Sequence, residues 1–108
     1  MKEGKYRREE ERKFRRIPIR FGLETPEFRA MGIQISSKGL FISTNHPVFM
    51  KGCRLKIEIP CPEGCFRTEA IVRHAKKVPP PMAQLDRPGM GVEFIEPSQE
   101  LRNFLASL

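Results

Sequence analysis

The chain has 108 residues, the length of one small domain, and its 39% hydrophobic and 31% charged residues make a globular composition. A large catalytic α/β architecture is excluded, and no apolar run approaches the roughly 18 residues of a membrane span or follows the basic amino terminus as a secretory signal would, so a cytoplasmic protein is expected. Twenty Lys and Arg against thirteen Asp and Glu leave a net charge of +7, which points to an anionic partner without choosing among nucleotide, nucleic acid, acidic protein and membrane surface.

Residues 1–16 carry eight basic side chains and four Glu, a net +4 of the total +7. With little apolar surface beyond Tyr6 and Phe14, this segment cannot offset its ordering entropy by burial, and a flexible basic arm is expected. The period then changes to that of strands. Ile17, Ile19 and Phe21, then Met31, Ile33 and Ile35, then Leu55, Ile57 and Ile59 each alternate with other residues, which predicts one side chain per pleat on a core face. Further strands are predicted in residues 40–43, 66–77 and 89–95. Turn signals separate them: Thr25-Pro26, Ser37-Lys38-Gly39, the stretch 60–64, and Pro79-Pro80-Pro81 within a loop over 78–88. Phe21, Phe41, Phe66 and Phe94 fall in these strands and are expected in the core. Six short strands suggest a small all-β barrel or sandwich. At the carboxy terminus Leu101, Phe104, Leu105 and Leu108 follow the stripe of an amphipathic helix, with Pro97 suited to its first turn and Ser98 to its cap, and such a helix would cover the barrel.

Cys53, Cys61 and Cys65 are an odd set with no export signal, so no disulfide framework is expected. Cys61 and Cys65 lie in PCPEGC, half of a zinc spacing, but only Cys53, His46 and His74 remain as further ligands and they form no second pair; a hairpin turn with incidental thiols is expected, and no metal. Neither histidine has a nucleophile at motif spacing, and Glu9, Glu10 and Glu11 read as charge balance for the arm, so an enzyme is not expected. With no Trp and one Tyr the chain is poorly supplied for stacking on single-stranded nucleic acid, which argues against that partner.

Two short motifs carry the functional signal. The first is Arg12-Lys13-Phe14-Arg15-Arg16 directly before the strand that begins at Ile17, and the second is Gln34-Ile35-Ser36-Ser37-Lys38-Gly39 followed by Leu40-Phe41-Ile42. Guanidinium groups four residues apart on an arm can fork onto phosphate oxygens, pair with a guanine edge or stack on a purine. A turn with Ser and Gly presents a hydroxyl and backbone N–H groups beside them.

These motifs resemble those of the PilZ domain, the bacterial receptor module for cyclic di-GMP. Its signature is RxxxR ahead of the first strand, [D/N]xSxxG at a following strand turn, and a closing strand like Gly89-Met90-Gly91-Val92-Glu93-Phe94 here. Arg8/Arg12, Arg12/Arg16 and Arg16/Arg20 all satisfy the spacing. The family's placement of its second arginine just before the first strand selects Arg12 and Arg16, with Arg8 as the fallback. The resemblance implies a six-stranded antiparallel β-barrel with one carboxy-terminal α-helix over residues 12–108, preceded by a flexible extension over 1–11. It implies a ligand, cyclic di-GMP, gripped by Arg12 and Arg16, with charge from Lys13 and Arg15. Gln34, Ser36 and Gly39 would form the opposite wall, and Arg73 falls near a base-stacking position of the family. The arm would order on binding and relay the signal to a protein partner in motility or biofilm regulation. One position departs: Gln34 stands where the family has Asp or Asn, and a neutral amide lacks the charge with which a carboxylate accepts from guanine N–H donors. The alternative is therefore a degenerate PilZ domain that acts as an adaptor without nucleotide.

Overall fold

The computed structural model describes residues 15–77 and 88–108. Six strands, β1 (Ile17–Gly22), β2 (Phe28–Ile33), β3 (Gly39–Ser43), β4 (Arg54–Cys61), β5 (Gly64–Lys76) and β6 (Gly89–Ile95), precede one helix, α1 (Gln99–Ala106). All neighbouring pairs are antiparallel, and the order β1-β2-β3-β6-β5-β4 closes on itself as a barrel. Closure removes the unpaired edges that an open sheet of this size would expose. The fold is the one expected from the sequence.

The alternation fills the barrel. Ile19 and Phe21 of β1, Leu40 and Ile42 of β3, Leu55, Ile57 and Ile59 of β4, Ala70 and Val72 of β5, and Met90, Val92 and Phe94 of β6 are buried. Leu101 and Leu105 of α1 join them, and Phe104 stacks on Phe66 with ring centroids 5.4 Å apart, so the helical stripe is spent on covering the barrel. The Ser98 hydroxyl accepts from Leu101 N at 3.1 Å and is the helix cap. Pro97, expected in the first turn, lies one residue ahead of the cap instead. Pro62 and Glu63 connect β4 to β5 in a two-residue hairpin whose Cys61 faces Gly64, as the turn signals predict.

The expected inward set of β2 is corrected. Gly32, Ala30 and Phe28 stand opposite Ile17, Ile19 and Phe21 across β1 and share their inward face, so Met31 and Ile33 point outward. Ile35 is nonetheless fully buried, because Gln34 between them has φ 51°. That left-handed step breaks the two-residue alternation and returns the chain to the core. Phe66, half-buried, faces inward opposite Ile59 and packs against the core as expected, whereas Phe41 alternates with the buried Leu40 and Ile42 and lies on the outer face.

Candidate functional site

The wall expected around Ser36 and Gly39 is a tight turn between β2 and β3. Ser36 Oγ accepts from Lys38 N at 3.1 Å and from Gly39 N at 3.3 Å, and Ser36 N donates to Gly39 O at 2.9 Å. Ser36 is 7% exposed, and its hydroxyl holds this loop's backbone in shape. Phe94 N donates to Lys38 O at 2.8 Å and fastens the loop to β6. Gly39 is required for a different reason: any Cβ there would meet the Val92 carbonyl oxygen of β6.

Gln34 opens the turn, half-buried, with no side-chain hydrogen bond to any described residue. Its backbone occupies the region where Asn and Asp are enriched among residues with a side chain. This gives a conformational reason for Asp or Asn at that position in addition to any contact with a ligand.

Arg15 and Arg16 are exposed and lead directly into β1, whose pairing with β2 begins at Ile17 opposite Gly32. The arm therefore joins the barrel at the end where Gln34 and the Ser36 turn lie. Arg12 and Lys13, the other expected arm residues, lie outside the described residues, as do 78–87 of the expected loop.

Arg73 reaches the same face through a bulge. The β5–β6 register slips between Val72 and His74, so Arg73 and His74 both point outward where regular alternation would send one of them inside. Arg73 Nε donates to Glu93 Oε1 at 2.7 Å, and Glu93 stands opposite Gly39 across β6 and β3. Ser36, Gly39, Glu93 and Arg73 thus form one connected set. Beside it run Ile33, Phe41, Gly91 and His74, successive partners across β2, β3, β6 and β5. The His74 imidazole covers the bare Gly91 backbone, and its ring centroid is 6.4 Å from that of Phe41. The glycines of the Gly89-Met90-Gly91 motif therefore make room for two rings on the outer surface. The sequence reading missed Glu93, although alternation with the buried Val92 and Phe94 was the signal that it faces out. It missed the His74 ring because the bulge leaves no mark in the sequence pattern, and the Phe41 ring although Phe41 alternates with Leu40 and Ile42.

Among the described residues no three metal-ligating side chains gather, and no helix is long and apolar enough to cross a membrane. The face can hold an anion with arginines at two sides and seat a flat ring against Phe41 and His74.

A family model described as the PilZ domain matches residues 6–108. Among solved structures, the Bacillus subtilis inhibitor of motility (MotI/DgrA) is similar, with a TM-score of 0.75 and 24% identity, over 94% of this chain and 48% of that one. At that identity the likeness is one of fold, and the chain spans about half the neighbour's length. No curated protein is similar in sequence.

Proposed function

Since the chain belongs to the PilZ family, we propose that it is a cyclic di-GMP receptor that reports the bound state to a protein partner. The supporting observation is convergence. Arg15 and Arg16 lead into β1 at the end that holds the Ser36–Gly39 turn, and Arg73 stands two strands from that turn through Glu93. Arg12 and Arg16 grip phosphates and guanine edges, Lys13 and Arg15 add charge, and Arg73 stacks on a base once it leaves Glu93. Two phosphates carry two negative charges, and several cations converging on them offset the cost of ordering the arm. The likeness to an inhibitor of motility supports a motility partner. No step calls for a catalytic group, and the module works by exposing or hiding a surface.

Isothermal titration with cyclic di-GMP, followed by amide shifts, tests the proposal. Heat of binding with shifts in residues 8–16 is expected, and its loss in Arg12→Ala and Arg16→Ala. No heat at high micromolar protein with unmoved amides overturns it. One observation favours the second reading, an adaptor without nucleotide: Gln34 stands where the family has Asp or Asn. Co-purification of a partner that survives both arginine substitutions would select that reading.

A further inference from the structure

The outer faces of β1 and β4 lie across the ring from those of β6 and β3, where the candidate nucleotide site sits. On this far side Arg29, Arg20, Glu58 and Arg67 form one row of cross-strand partners over β2, β1, β4 and β5. Arg20 and Arg29 stand directly opposite each other, both exposed, and among the described residues neither makes an ion pair with a carboxylate, although Glu58 is the β4 partner of Arg20. Like charges at such close cross-strand spacing disfavour the free fold. Glu58 does not serve them: it lies 3.8 Å from Arg67 Nη2 and accepts the Cys65 thiol at 2.9 Å. The adjacent carboxylate, Glu69, is taken by Lys56 at 2.6 Å and Arg54 at 3.2 Å. At the end of this face Leu23, 48% exposed, borders a shallow depression lined by Arg54, Leu55, Lys56 and Glu69.

From these observations we propose that the β1–β4 face docks an acidic segment of a partner protein, whose carboxylates pair with Arg20 and Arg29 while an apolar side chain rests on Leu23. The face itself argues for carboxylates as the complement, since every other charged pair on it is a cation with a carboxylate. Its exposed apolar surface is aliphatic, which provides no stacking platform for single-stranded nucleic acid. This surface stands apart from the nucleotide reading and is tested apart from it.

The test is fluorescence anisotropy of labelled poly-L-glutamate with the full chain at low salt. Binding is expected, weakened at least fivefold in Arg20→Gln/Arg29→Gln and unaffected by excess cyclic di-GMP. The charge-matched control Lys77→Gln/Arg102→Gln, two exposed residues just after β5 and on α1, should weaken it less than twofold. The Arg20→Gln/Arg29→Gln protein should melt at the same or a higher temperature than the parent, since a like-charge pair is removed. Equal losses in both double variants would reduce the effect to net charge and overturn the proposal. Overturning it too would be arginine-dependent binding to single-stranded DNA or to phosphatidylserine vesicles with none to poly-L-glutamate.

Discussion

Gln34→Asn should stabilise the protein, although it shortens a side chain. Gln34 holds φ 51°, a conformation that disfavours an L-residue by about 1–2 kcal/mol relative to the right-handed region. Asn tolerates it better, because its short amide bonds locally to the backbone. The Gln34 amide makes no hydrogen bond to a described residue, so nothing is lost from that side. A gain of about 0.5–1 kcal/mol follows, which for a domain near this size is a rise of about 2–8 °C in Tm. Gln34→Gly removes the conformational penalty altogether but adds backbone freedom to the unfolded chain, and should fall at or below the Asn gain. Gln34→Ala is the control, since it deletes the amide and keeps the strained backbone. Thermal melts by circular dichroism read all three. If Ala stabilises as much as Asn, or if Asn lowers Tm, the left-handed backbone is not what this position is selected for.

Gly39→Ala should cost at least about 2–3 kcal/mol or prevent folding, since its methyl meets the Val92 carbonyl oxygen, whereas Ser36→Ala should cost about 1–2 kcal/mol by leaving the Lys38 and Gly39 amides unbonded; chemical denaturation reads both. Glu93→Gln removes a carboxylate from the proposed nucleotide site and releases Arg73, so affinity for cyclic di-GMP in a titration should rise about threefold to tenfold; a fall would assign the carboxylate itself to the ligand. The Lys56 ammonium, hydrogen-bonded to Glu69, and the Arg54 guanidinium hold that carboxyl below its ordinary 4.5. Because the folded value is the lower one, the stabilisation is complete above 4.5 and is lost as the pH falls below it, and melts of Lys56→Met against the parent should converge on acidification. The Glu58 carboxylate, accepting the Cys65 S–H, pushes that exposed thiol above its ordinary 9.0, so iodoacetamide should label Cys65 slowly at pH 8 and severalfold faster in Glu58→Gln, read by mass spectrometry.

The strands were most legible where alternation ran unbroken over a hairpin. Leu55, Ile57 and Ile59 are buried as their spacing implies, and the Pro62-Glu63 turn reverses the chain where proline and glycine cluster. The helix could be read because its stripe and its cap agree. The sequence misled where a single backbone step changed phase. Met31, Ile33 and Ile35 look like one face, yet the left-handed Gln34 splits them, and hydrophobicity carries no record of φ. Phe41 shows a second limit, for a half-buried ring on the outer surface has the same spelling as a core ring. Of the site, the Ser36–Gly39 turn was visible in its residue types. Glu93 was not, because its importance comes from strand partners more than fifty positions earlier in the chain and twenty away in β5.

The slip at Val72 to His74 leaves β5 with one residue more than its partner needs. Deleting Arg73 would restore an even ladder, with His74 still outward and Ala75 still facing Met90, and the interior would not register the change. At the paired positions of β5 away from Arg73 and His74 a one-residue deletion would turn the remainder of the strand inside out. This spot is therefore a spare socket in the barrel wall, where a cation can be gained or discarded on the surface at almost no cost to the interior.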